Sequence, residues 1–152
     1  MKLLKHQLIM FIVMMMVGVL FNPMNVLAHR VDDLYFSLTT LYGGILMASN
    51  MIWAHEIIHY LSMGHFNKNV FIIGILLSVS TTFILLRPQL FVNSDQWLRR
   101  MIGHHSTAIT TTSKLLENHD NFYNDPKLYR LAKDIVYNQK REILFMKTFL
   151  KV

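Results

Sequence analysis

The chain contains no cysteine. Disulfides, thiolate nucleophiles and thiolate metal sites are therefore excluded, and any metal has to use histidine, methionine, carboxylate or amide ligands. Charge is scarce as well: 16% of the 152 residues are charged against 53% hydrophobic, and the apolar residues crowd into the first 90 positions. That is not the composition of an ordinary soluble domain. Also missing are a glycine-rich phosphate loop, a nucleophile elbow and a Ser/His/Asp arrangement, which removes the usual signs of phosphoryl transfer and serine hydrolysis. There is no convincing internal repeat and no low-complexity linker. The net charge of +6 comes mostly from residues beyond Pro88. There the basic residues are mixed with Glu and Asp on helix surfaces, with no nucleic-acid recognition motif, so nucleic acid is not an expected partner. Anionic lipid headgroups are.

What the sequence does have is apolar runs. Leu8 to Phe21 is uninterrupted behind Lys2 and Lys5, and extends to Ala28 across Asn22, Pro23 and Asn25; residues 8–28 are long enough to span a bilayer. The same stretch also fits a signal peptide, with Val26-Leu27-Ala28 as a small-residue cleavage site, retention as an anchor being the favoured reading. Leu34 to Ala54 is a second expected span, bracketed by Tyr35, Phe36 and Trp53 as at membrane interfaces. Gly43, Gly44, Ala48 and Ser49 give it a small-residue strip for close helix contact. Val70 to Leu86 is a third, ended by Arg87-Pro88, and its hydroxyls (Ser78, Ser80, Thr81, Thr82) are tolerable because they can bond back to the helix. Lys2, Lys5 and Lys68 favour one orientation and Arg30, Arg87, Arg99 and Arg100 the other. Export of the C-terminal part follows from a cleaved leader with two spans, or from a retained first span with its N-terminus inside. The expectation is a multi-pass membrane protein with residues 1–90 as the membrane region and 91–152 as an extramembrane domain on the non-cytoplasmic side.

Between the second and third spans lies His55-Glu56-Ile57-Ile58-His59, an HExxH pattern. On a helix it offers two imidazoles one turn apart with a carboxylate able to act as base, the pattern of a zinc metallopeptidase. His65 stands where the longer pattern has its third ligand, but Ser62 replaces the required glycine. No room is left for a substrate-binding sheet, and spans two and three hold no aspartate ligand. His55, His59 and His65 are therefore a second candidate metal site, with a peptidase the least favoured reading.

The last third of the chain carries the sharper pattern. Leu98, Met101, Ile102, His105, Ala108, Ile109, Thr112, Leu115 and Leu116 recur at steps of three and four, so they share one helix face. Ser94 or Asp95 is the expected cap. The run from His119 to Pro126 is a break, with Asp125 as the next cap and Pro126 as the first helical residue. Beyond it Leu128, Leu131, Ala132, Ile135, Gln139, Glu142, Ile143, Met146 and Leu150 repeat the spacing. So short a connection makes the two helices antiparallel. His104 and His105 lie about as far before the break as Gln139 and Lys140 lie after it, so the histidine pair should face Gln139 and Glu142. Imidazole suits either copper state and thioether sulfur selects Cu(I). The competing reading is packing: His105 hydrogen-bonded to Glu142 as a register lock, with the methionines as core filler.

Met101-Ile102-Gly103-His104-His105, followed by Ala108-Ile109 and later by Gln139, Glu142-Ile143 and Met146, resembles the signature of domain-of-unknown-function family 305 over residues 91 to 150. Gly103 stands where that family usually has proline, which would loosen the helix before the histidines. The resemblance implies a ferritin-like helical bundle. Some members are periplasmic copper-binding or copper-tolerance proteins, and the family has no established enzymatic activity. A hydrophobic multi-span leader resembles a membrane-anchored subgroup. By this resemblance Met101, His104, His105, Gln139, Glu142 and Met146 are the candidate metal residues, with copper the expected cofactor and zinc the lesser one.

The sequence thus predicts an all-α protein: two or three transmembrane helices, then a ferritin-like antiparallel hairpin. Two amphipathic helices bury too little alone, so a homodimeric four-helix bundle is expected. The functional expectation is metal binding in copper tolerance or delivery, with a non-catalytic membrane scaffold as the alternative.

Overall fold

A computed structural model describes residues 2–117 and 125–150. The described residues are helical, with turns between and no strand. They form α1 (Lys2–Leu20), the four-residue α2 (Pro23–Val26), a 3-10 turn (Val31–Asp33), α3 (Leu38–Met63), α4 (Lys68–Ser80) with a π-helical continuation (Thr81–Leu86), α5 (Ser94–Glu117) and α6 (Pro126–Phe149). They divide into two compact units, residues 1–22 with 38–92 and residues 23–37 with 93–152.

In the first unit α3 is the middle helix, packed by α1 and by α4. The contacts are close because small residues stand at them. A Cβ on Gly44 would lie 2.6 Å from Val19 Cγ2 and 2.9 Å from the Met15 carbonyl oxygen; one on Gly74 would lie 2.8 Å from the Trp53 nitrogen. Of the expected strip, Gly44, Ala48 and Ser49 are buried, whereas Gly43 meets nothing. Hydroxyls do bond back along their helices: Ser49 to the Ile45 carbonyl, Ser78 to Gly74, and Thr82 to Ser78.

Among the described residues, two stretches are long and apolar enough to cross a membrane, Leu4–Val26 and Lys68–Leu86. The first is not one straight helix. It breaks at Phe21 and Asn22 ahead of Pro23, where the Asn22 amide donates to the Val19 carbonyl at 2.8 Å. The expected span Leu34–Ala54 differs more. Its helix starts at Leu38, after an extended segment, and runs on to Met63. The added turns carry His55, Glu56 and His59, and α3 is not among the two strongly apolar stretches of the described residues. Gly64, at φ +70°, ends it with its N–H on the Tyr60 carbonyl, the left-handed termination that glycine adopts without steric cost. Asn67 then caps α4, accepting from the Val70 N–H at 3.2 Å.

The second unit is an antiparallel hairpin of α5 and α6 with a third piece laid on it. Ile102, Ile109, Ile143, Met146 and Leu150 make its core, with Leu98, Met101 and Val136 packed against them. Asp125 caps α6 as expected, accepting from the Leu128 N–H at 3.0 Å, with Pro126 in the first turn. The cap of α5 is Asn93, accepting from the Gln96 N–H at 3.0 Å, rather than Ser94 or Asp95. The correction is one of register: the capping oxygen sits three residues before the amide it satisfies. The expected break at His119–Asn124 lies outside the described residues. α5 runs unbroken through Gly103, so glycine in place of proline does not interrupt it.

The added piece is residues 23–37. Tyr35 packs on the hairpin core, with the Arg99 guanidinium 6.0 Å from its ring centre. Asp33 is 2% exposed. It accepts from the Ser106 hydroxyl at 2.7 Å and pairs with Lys147 Nζ at 2.6 Å. Ser106 in turn accepts from the His29 N–H at 2.7 Å. A buried carboxylate has to be paired and hydrogen-bonded, and these contacts do both.

Candidate functional sites

The hairpin brings the predicted level together. His105 Nε2 stands 2.7 Å from Glu142 Oε2, and His105 Nδ1 stands 2.8 Å from the Met101 carbonyl oxygen one turn back. Both partners are acceptors. A neutral ring donates to one of them at a time, and donating to both takes a proton on each nitrogen. His104 is exposed, with its ring centre 5.9 Å from that of His105. Met146 belongs to the core and Met101 packs against it. Gln139 is half-buried on the same helix, and its Oε1 is buried without a hydrogen-bond partner. Thus the pairing of helices is as expected, while the thioethers face the core and His104 faces solvent.

Beside this level, Lys147 and Asp32 complete the attachment of the irregular segment. Hydrogen bonds from Lys147 and from Arg30 hold the Asp32 carboxyl below its usual range. Burial alone would push the Lys147 ammonium down; its hydrogen bonds to Asp33 and Asp32 outweigh that and raise it.

The second candidate site lies in the first unit. A cleft of about 560 Å³ opens where α1 starts, α3 ends and α4 begins, and His55, His59 and His65 all line it. A fourth imidazole, His6 from α1, lines it too. Successive ring centres from His6 to His55 to His59 to His65 are 6.3, 6.0 and 6.3 Å apart. Glu56, the carboxylate of the HExxH pattern, is 4% exposed. Its Oε2 accepts from the Asn67 N–H at 3.0 Å and its Oε1 lies 3.5 Å from the Gln7 amide nitrogen. Through these two contacts it holds the α3–α4 loop and α1 in place. Sequence reasoning missed His6 and Gln7, since nothing local in an apolar leader says which helix it will pack on. Among the described residues no three His, Asp or Glu side chains stand as a ready ligand group.

Residues 92–150 match the family described as "Domain of unknown function (DUF305)". The whole chain is similar to the uncharacterized protein L153 of Acanthamoeba polyphaga mimivirus, 33% identical over 143 residues, covering 94% of this chain and 90% of that one. An alignment of that length takes in much of the apolar half as well as the hairpin. No solved structure matches.

Proposed function

The chain belongs to the domain-of-unknown-function family DUF305, and from that premise we propose that it is a membrane-anchored metal-binding protein whose hairpin takes copper in tolerance or delivery. The observation that carries the reading is the His105–Glu142 contact of 2.7 Å. A carboxylate and an imidazole sharing a proton can share a metal ion instead. Ligand distances of about 2.0–2.2 Å would open the pair only to roughly 3 Å or slightly more. Binding would displace the proton on Nε2, so uptake is coupled to proton release. His104 stands next in line as an imidazole from solvent. Met101 and Met146 contribute sulfur only if they turn out of the core, and zinc would be the ion if they do not.

Three crossings by α1, α3 and α4 give the membrane arrangement. With Lys5 and Lys68 on the cytoplasmic side, residues 23–37 and 93–152 both emerge on the other side. Their membership of one compact unit supports that topology. The test is metal content of the detergent-purified full-length protein, with Cu(I), Cu(II) and Zn(II) titrations, beside a His104→Ala/His105→Ala variant. Near-stoichiometric copper lost in the variant is expected. Equal copper in both would remove the hairpin as the site.

The second reading is a non-catalytic scaffold, favoured by the engagement of both His105 nitrogens and by the core position of Met146. In it the His105–Glu142 pair sets helix register, and two hairpins join as a four-helix bundle. Leu128, Leu131, Phe145 and Phe149 fall on one stripe of α6 and are all exposed, which suits a second copy.

A further inference from the structure

We propose that the cleft lined by His6, His55, His59 and His65 is a separate binding site for a divalent transition-metal ion of the zinc class, assembled from α1, α3 and the loop after α3. This site does not depend on the copper reading of the hairpin, since it shares no residue with it.

Spacing is the first ground. Two imidazoles that share one ion at about 2.0–2.1 Å per nitrogen hold their ring centres about 5–6 Å apart. The three successive spacings here are 6.3, 6.0 and 6.3 Å, so each neighbouring pair stands close to the separation of two imidazoles on one ion. Nitrogen availability is the second ground. The Nδ1 of His59 lies 3.1 Å from the His65 carbonyl oxygen. A carbonyl only accepts, so Nδ1 carries the proton and the lone pair is left on Nε2. That is how metal-binding imidazoles are oriented: the far nitrogen is tied to a carbonyl and the near one is free. The Nδ1 of His55 is buried with no partner, a polar atom whose desolvation an ion would offset. At the hairpin, by contrast, both nitrogens of His105 face acceptors.

The third ground is support. His55 and His59 sit one turn apart on a rigid helix, and the buried Glu56 between them ties the backbone of Asn67, at the end of the loop that carries His65, to α3. Gln7, adjacent to His6, lies against the same carboxylate. Glu56 is thus a positioning residue, linking each of the two elements that bring the outer imidazoles. Nitrogen ligands suit Zn(II) and Cu(II), and without thioether sulfur nothing in the site selects Cu(I). Lys68, also in the lining, carries the same sign of charge as the ion.

The experiment is a Zn(II) titration of the full-length protein in detergent, in a His104→Ala/His105→Ala background that silences the hairpin. About one equivalent of zinc is expected. Adding His6→Ala, which leaves α3 and the loop intact, should weaken binding by at least about 10–100-fold, the range lost when even an outer partner of a ligand is removed. Unchanged affinity in that variant, or no zinc in the parent, overturns the proposal. Co(II) provides a check that needs no mutation in the cleft: tetrahedral nitrogen ligation gives intense visible bands, and the weak spectrum of hydrated Co(II) would equally overturn it. Glu56→Gln should weaken binding while keeping the helix content, because the amide holds the loop less firmly than the carboxylate.

Discussion

Lys147, near the end of α6, reaches Asp33 Oδ1 at 2.6 Å and Asp32 Oδ2 at 3.1 Å, joining residues 114 and 115 positions apart. This contact fastens the segment between the first two long helices to the C-terminal hairpin. It makes the second unit a three-part body, not a bare pair of helices.

Asp33→Ala should be the most costly single change in that unit. It leaves Lys147 with only the exposed Asp32 and removes the acceptor of Ser106. A loss of about 3 kcal/mol is expected, the lower end for breaking a buried pair. Ser106→Ala should cost about 1–2 kcal/mol. Urea unfolding followed by circular dichroism measures both, and near-equal midpoints for Asp33→Ala and wild type would contradict the assignment.

The same cluster sets a pH window. The lowered carboxyl of Asp32 contributes stability that is present above its ordinary value of 3.8 and is lost as pH falls through the lower folded value. The raised ammonium of Lys147 contributes stability that is full below 10.5 and is lost as pH rises through the higher folded value. Between those limits this cluster's contribution should be flat. Denaturant midpoints of the wild type and of Lys147→Met, compared across pH, test it: the gap between the two should shrink at both extremes.

Gly103→Ala should stabilise the hairpin. Its Cβ would meet Met24 Sδ at 3.6 Å, an ordinary contact, and alanine in a helix interior is favoured over glycine by about 0.5–1 kcal/mol. Thermal melting should move upward; a fall would show that the residue is needed for close approach. Gly44→Ala should do the reverse for α1 and α3, by about 1–3 kcal/mol of overpacking, because the Met15 carbonyl at 2.9 Å is backbone and cannot swing aside.

Phe145→Glu together with Leu131→Glu tests the proposed dimer. Both side chains are more than half exposed, at 64% and 54%, so the folded single chain should tolerate the change. Light scattering in detergent should report a dimer for the wild type and a monomer for the variant. A wild-type monomer with intact helices would rule out the four-helix bundle.

Local pattern carried much of this structure. Steps of three and four placed α5 and α6, Asp125 and Pro126 marked where the second of them starts, and equal distances from the turn put His105 opposite Glu142. Those features depend on helix periodicity and on side chains bonding to amides a few residues away, so they can be read in one dimension. Tertiary structure alone decided the rest. Asp33, in a short irregular segment, is buried because Lys147 and Ser106 meet it from far along the chain. His6 joins His55, His59 and His65 because small residues let α1 lie close against α3. Neither has a local signature: an apolar run shows that a helix will be buried or in lipid, but not which neighbour it packs on or which polar groups meet at its end.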